Sequence, residues 1–461
     1  MSTDRFARTV EYGVERLRVE DPLLYGMLVR EQDRQDCTLA MIAATSVADA
    51  SVLACESSVA SNVTTEGYPG ARYHAGCEVV DDIEDLAVHR AQAVFGAQYA
   101  NVQPHSGTTA NQAVLSSLLR PGDTILGMAL AAGGHLTHGA PVSFSGRYFN
   151  AIGYGVGADG RIDYAEVERL AWRHRPRLVI CGASAYPRVI DFARFRAIAD
   201  GVGAYLMADI SHIAGLVAAG LHPSPIDHAH ITTTSTYKQL YGPRGGLILI
   251  GRDHDTPAPD GRRSLAAHMQ SAVFPYFQGT PRLNTIAAKA RALARLARPE
   301  FRLLAERVVA DAAALAAALA GTGHTLLTGG TDNHMVLADV SRRGLTGRVA
   351  ERALAACDII VNRNAIPGDR HSPRVASGVR FGTNVLAARG MGEPEMATCA
   401  ALVDWVLSAL RPDGDRDYTL TETVRAAVRA EVAELCRRYP LPGTFGAPVG
   451  HPAVPAGLGE R

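Results

Sequence analysis

Lysine is almost missing from this chain. Of its 46 lysine and arginine residues, only Lys238 and Lys289 are lysines. A guanidinium neither deprotonates nor forms an imine, so a lysine kept where every other cation is arginine marks a place that can need a primary amine. Net charge is missing too: 46 basic residues face 46 acidic ones. That balance argues against a nucleic-acid or anionic-membrane partner, whose recognition rests on excess positive charge. Seven cysteines (37, 55, 77, 181, 357, 399, 436) are scattered and none forms a CxxC pair. They read as buried free thiols in a reducing compartment. Long apolar runs are lacking as well. The stretches 91–119 and 124–146 hold no charged residue, but Gly, His, Thr, Ser and Pro interrupt both, as in buried elements joined by functional loops. The opening MSTDRFARTVEYGVERL has charges every few residues and no apolar h-region, so no signal peptide is expected. A soluble, cytoplasmic protein is expected.

With 461 residues, 47% of them apolar, the chain has material for a large core and, at about 150 residues per domain, two to three domains. No internal repeat is visible. Residues 1–50 read as a helical arm. The middle alternates short apolar runs (Thr124–Met128, Leu178–Ala183, Tyr205–Asp209, His230–Thr234, Gly246–Ile250) with helical stretches (Thr109–Leu119, Tyr164–His174, Asp191–Val202). That pattern predicts an α/β fold with a mostly parallel sheet covered on both faces, its ligand at the C-terminal strand ends. After an Ala-rich helix near Val308–Ala320, a strand (Met335–Val340), a helix (Gly347–Ala356) and a strand (Ile359–Asn362) predict a smaller α+β domain. The expected division is an arm over 1–50, a large domain over 51–320, a small domain over 321–440 and a Pro/Gly-rich tail over 441–461.

Five features carry chemistry. Asp209 ends YLMAD, where a strand delivers it to the ligand edge or where it caps a helix. Lys238 lies in TTTSTYKQLYGPRGG among Thr, Ser and Tyr before a Gly-rich turn; Lys289, in NTIAAKARALARL, reads as a structural residue on a helix face. HSGTT (105–109) opens a helix and is either an anion cradle or an ordinary N-cap. GGHLTHG places His135 and His138 in a Gly-rich loop. A metal pair there lacks a third ligand nearby in sequence, and stacking of one ring on a flat cofactor is the better use. Arg380, in SGVRFGT, is either a carboxylate clamp or a surface residue. A strand-end Asp, a solitary Lys, a phosphate cradle, a stacking His and a carboxylate-binding Arg share one chemical solution, pyridoxal phosphate (PLP), in which the lysine amine forms a Schiff base and the Asp keeps the pyridinium an electron sink.

EGYPGARYHAGCE, ANVQPHSGTTAN, PGDTILGM, GGHLTHG, GASAYPRVIDF, HIAGLVAAGLHPSP, TTTSTYKQLYGPRGG, GLTGRVAE and SGVRFGT together resemble serine hydroxymethyltransferase, in order over roughly residues 20–410. The resemblance implies a fold-type I PLP-dependent transferase with a seven-stranded sheet, tetrahydrofolate as co-substrate, and a homodimer or tetramer whose subunits share active sites. Carried over by motif, Lys238 resembles the Schiff-base lysine, Asp209 the ring-nitrogen partner and His135 the stacking ring. Ser106, Gly107 and Thr108 resemble the phosphate cradle, with Gln278 and Gly279 from the neighbouring subunit. Ser184, His212 and Ser235 resemble further cofactor contacts, Arg380 the substrate clamp and Glu66 the acid/base group. Tyr73, Leu130, Gly134, Leu136, Asn364 and Phe274 resemble folate contacts.

The departures are local. The usual IASEN reads Ile42-Ala43-Ala44-Thr45-Ser46, and Thr64 and His74 each replace a Tyr. Tyr237 replaces a His, GGP becomes Gly279-Thr280-Pro281, and GTP becomes Gly382-Thr383-Asn384. His74 and Tyr237 mirror one another, which suggests an exchange of roles across the dimer, both in the catalytic set. The changes gather at the amino-acid side, so the expected activity is cleavage of the Cα–Cβ bond of serine, or of an α-substituted serine such as α-methylserine, with one-carbon transfer to folate. The alternative is a folate-independent threonine aldolase or transaldolase.

Overall fold

The computed structural model describes residues 5–443. Two helices open the chain, α1 (Arg5–Glu20) and α2 (Pro22–Asp36), and neither buries a side chain within the chain. Helix α3 (Glu78–Phe95) then leads into a seven-stranded sheet: β1 (Tyr99–Asn101), β2 (Thr124–Met128), β3 (Asn150–Tyr154), β4 (Leu178–Gly182), β5 (Tyr205–Asp209), β6 (Ile231–Ser235) and β7 (Gly246–Ile250). The order across the sheet is β1-β7-β6-β5-β4-β2-β3. Strand β7 is antiparallel to both its neighbours, β1 and β6, and every other pairing is parallel. Strands β4, β6 and β7 are buried along their whole length, as expected for a sheet with both faces covered. Helix α4 (Gly107–Leu118) follows β1, and α5 (Tyr164–His174) and α6 (Phe192–Val202) follow β3 and β4. Asp163 and Asp191 cap α5 and α6 through backbone N–H groups.

Helix α7 (Leu283–Leu296) packs on α3, and α8 (Pro299–Gly321) runs on into a second core. Phe301 and Ala305 of α8 pack with the large sheet, whereas Leu315, Ala316 and Leu319 pack with the residues around the second sheet. That sheet is antiparallel, β8 (Thr325–Leu326), β9 (Met335–Asp339), β10 (Asn362–Asn364) and β11 (Gly378–Gly382), in the order β8-β9-β11-β10. The change from one core to the other therefore falls inside a continuous helix.

Two expectations need correction. The arm is helical only to Asp36. Leu39–Ala40 instead pairs in parallel with Ile359–Ile360, and Leu39 and Met41 sit in the second core. Strands β1 and β3 also escaped the sequence reading, because each is a sheet edge with mixed polarity and no apolar run. Of the tail, residues 444–461 lie outside the described residues.

Candidate active site

The turn after β1 ends on Ser106, whose hydroxyl accepts from the Thr109 N–H (3.0 Å) and caps α4. A Cβ on Gly107 would lie 3.1 Å from the Ser235 nitrogen, so the first turn of α4 comes close against the end of β6 with bare backbone. Thr108 is exposed on that turn, while the Ser235 hydroxyl is buried and has no hydrogen-bond partner among the described residues. Free N–H groups at a helix start, its dipole and an unpaired hydroxyl are what a phosphate group takes.

Asp209, at the end of β5, is buried. It accepts from Asn111 Nδ2 (2.7 Å) and His138 Nε2 (3.1 Å) on one oxygen and from the Ser211 N–H (3.0 Å) on the other. Burial opposes the charge, but the hydrogen bonds from His138 and Ser211 outweigh it and hold the carboxyl well below the usual carboxylate range. The tautomer of His138 follows from geometry. Its Nδ1 accepts from the His135 N–H (3.3 Å), so the proton lies on Nε2 and points at Asp209. His135 Nδ1 accepts from the Thr137 N–H (3.2 Å), and Thr137 Oγ1 is held by Asn111 Nδ2 (2.8 Å). Burial pushes the His135 ring down to about 4, so at neutral pH it is an uncharged surface fit for stacking. Asn111 also accepts from Thr233 Oγ1 (2.5 Å), which joins α4, β5, β6 and the His135 loop in one network.

Lys238 lies in the loop after β6 and is 7% exposed. Among the described residues no hydrogen bond or ion pair engages its Nζ; the Tyr237 ring lies 5.9 Å away. Burial, helped by the charge of Arg380 and opposed by Asp209, pushes the amine down to about 8. Arg380, on β11, is 8% exposed. It donates to Asn362 Oδ1 (3.1 Å) and to the Ser184 carbonyl. Burial lowers it to about 10, still cationic at neutral pH, and among the described residues no carboxylate neutralises it. His212 stacks on His334 (5.8 Å, 21°) and is kept neutral by burial, its Nδ1 unpaired.

The remaining expected residues form a second group. Glu66 faces His74 (3.6 Å) and joins Tyr73, Phe274, Gln278 and Gly279 around an open cleft of ≈ 460 Å³. Gln278 is held on its own chain, donating to the Gln103 carbonyl (2.8 Å) and accepting from the His105 N–H (3.4 Å). Leu130 and Leu136 are half exposed beside Gly134, in the loop that carries His135, and Asn364 ends β10. Within one chain His74 and Tyr237 belong to different groups, Tyr237 lying under Arg244 (4.4 Å).

Several residues escaped the sequence reading. His135, His138 and Asp209 do converge, with polar atoms within 4.8 Å of one another; the third group comes from a strand 71 positions downstream of His138, and the hydrogen bonds above account for the arrangement. Asn111 was findable as the one amide on an otherwise apolar helix face, whereas Asn362 had no local signal. Asn384 donates to the carbonyls of Ala43 (3.0 Å) and Thr45 (3.4 Å), and Ser46 to that of Tyr237 (2.6 Å). The departures at 44, 45, 237 and 384 are therefore one cluster in space. Lys289 lies on helix α7, as expected, and is wholly buried.

An unengaged buried amine, a helix start with free N–H groups and a buried carboxylate fit a flat phosphorylated ring that carries an aldehyde. Its phosphate would sit on the α4 turn, its face on His135 and its ring nitrogen on Asp209. The class this defines, at the edge of such a sheet, is the PLP-dependent transferases of fold type I. The sequence profile of serine hydroxymethyltransferase matches residues 17–403. The serine hydroxymethyltransferase of Halorhodospira halophila is 48% identical over 423 residues, 92% of this chain and 97% of that one. That of Xanthomonas campestris pv. campestris is 48% identical over 428 residues, 93% and 99% of the two chains. The chain belongs to the serine hydroxymethyltransferase family, whose members use PLP and take tetrahydrofolate as co-substrate.

Proposed function

We propose that this chain moves the hydroxymethyl carbon of serine to tetrahydrofolate, leaving glycine, methylene-tetrahydrofolate and water. The observation that carries the reading is the pairing of a buried amine, Lys238, with a buried cation, Arg380, neither of them engaged by a carboxylate among the described residues and the two close enough for one to feel the other's charge. Arg380 takes the substrate carboxylate through two parallel hydrogen bonds and so orients the Cα–Cβ bond. The bound cofactor supplies the electron sink for the cleaved bond. Asp209 holds the compensating negative charge, His135 fixes the plane, and Glu66 is the candidate relay for the β-hydroxyl proton. Leu130 and Leu136 offer an apolar mouth for the flat folate ring.

A homodimer is part of this reading. Phe6, Tyr12, Leu23, Met27 and Leu28 of the first two helices are exposed, and so is Tyr73 beside Glu66, a pattern that suits burial by a second copy. The Glu66 group would then complete the partner's site, and His74 would approach Tyr237 across the interface. Light scattering should return the mass of two chains, and a monomer at assay concentration would remove this part. Localisation in the cytoplasm is proposed with it; among the described residues no helix is long and apolar enough to cross a membrane.

The linked departures at Ala44, Thr45, Tyr237 and Asn384 favour a second reading, an α-substituted serine such as α-methylserine as the amino acid. The folate-independent aldolase is not favoured, since the relatives above are all named serine hydroxymethyltransferase. Serine, α-methylserine and threonine assayed with and without tetrahydrofolate decide among these. Folate-dependent glycine or alanine formation is expected, and acetaldehyde release from threonine at the same rate without folate would overturn the proposal.

A further inference from the structure

The mechanism uses one of the two lysines and leaves the other unexplained. Lys289, on α7, is 1% exposed and is flanked directly by Ala288 and Ala290. Its Nζ donates to three carbonyls: Val102 (2.5 Å), Pro104 (3.0 Å) and Gly246 (3.0 Å). An ammonium has three N–H bonds, and all are used on backbone. Val102 and Pro104 lie on the exit of β1, two residues short of the Ser106 turn. Gly246 begins β7, and its own N–H donates to the Pro104 carbonyl (2.9 Å). The carbonyl of Gly245 receives the Thr236 N–H (3.0 Å), two residues before Lys238. The lysine therefore clamps the point where the phosphate turn and the Lys238 loop leave the sheet. A Cβ at Gly245 would lie 2.3 Å from the Lys289 Cε, so bare backbone is required there for the stem to pass.

No carboxylate touches this ammonium among the described residues. The charged groups that act on it are Glu84 of α3, already paired with Arg72 (2.6 Å) and Gln103 (2.8 Å), Arg282 just before α7, and Glu56, with His105 on the turn itself. Burying a cation without an anion is costly, and a hydrophobic residue of similar length would fill the space. The arrangement makes sense if the anion arrives from outside.

We propose that Lys289 is a positioning residue for the cofactor's phosphate. By holding the carbonyls of Val102, Pro104 and Gly246, it aims the N–H groups of the turn at residues 106–108, and its positive charge, met by no carboxylate among the described residues, attracts the phosphate through one layer of backbone. The inference depends on PLP being the cofactor and is independent of which amino acid is the substrate. It also predicts linkage: burial pushes the free Lys289 amine down to about 7, and a phosphate dianion on the turn should raise it.

The chain's two lysines make the test simple. In cofactor-free protein labelled with ¹³C at the lysine ε carbon, two side-chain signals are expected, and the one absent from Lys238→Ala is assigned by elimination. Saturating inorganic phosphate should raise the titration midpoint of Lys289 by about one pH unit, as for a new opposite charge nearby. By reciprocity Lys289→Met should bind PLP about tenfold more weakly. Its affinity for pyridoxal, which has no phosphate, should be unchanged. Equal losses for PLP and pyridoxal would mean general disruption and overturn the proposal. So would a titration midpoint indifferent to phosphate, a measurement on the unaltered chain that stands even if the Met variant does not fold.

Discussion

Lys238→Ala should leave a folded, colourless protein with turnover reduced by ~10³-fold or more. Of the two lysines, Lys238 alone has an amine unengaged among the described residues, and Lys289 cannot replace it, since its three N–H bonds are spent on backbone. The variant loses one amine that makes no hydrogen bond among the described residues, so its melting temperature should change little. A second measurement reads the same group. With its pKa lowered to about 8, the neutral, reactive form of Lys238 grows as pH rises towards 8 and is dominant above it. Capture of PLP by cofactor-free protein should accelerate about tenfold per unit below that point and then level. An acceleration continuing to pH 10 would mean an amine that burial has not perturbed. Near-normal activity in Lys238→Ala would end the reading of the site.

The second large effect is expected at Asp209. Replacement by Asn keeps the shape and removes the charge, and the amide cannot satisfy its surroundings. Asn111 and His138 both donate to one oxygen and the Ser211 N–H to the other, so either orientation sets an NH₂ against a donor. His138 cannot answer by changing tautomer without losing the His135 N–H. The mismatch should cost about 1–3 kcal/mol of stability, readable as a lower midpoint of denaturant unfolding. Loss of the fixed charge opposite the ring nitrogen should reduce kcat by roughly 10²–10³-fold even with saturating cofactor. Because the folded carboxyl is held below its ordinary range, its contribution is fully present above about pH 4 and fades only as pH falls below that. The Asn variant should therefore differ from the parent by a constant factor across neutral pH. A loss under threefold would show that Asp209 does not support the ring nitrogen.

Much of this was readable from the sequence where the physics is local. The apolar runs that became β2, β5 and β7 have the expected ends, and α5 starts at its Asp cap, because burial on both faces and capping leave marks within a few residues. The scarcity of lysine pointed to Lys238 for a chemical reason. The same reasoning set Lys289 aside, since its three acceptors come from positions 43 to 187 residues away and nothing near it hints at them. Distance in sequence also hid the pairing of Leu39–Ala40 with Ile359–Ile360, the Asn362 support under Arg380 and the Asn384 tie to residues 43 and 45. These contacts form only once the fold has brought strangers together.

Helix α8 has its first turns in one core and its last in the other. A rod built into both halves leaves no swivel between them, so neither can rotate alone without bending twenty-three residues of hydrogen-bonded backbone. Heating should therefore melt both halves in one calorimetric peak.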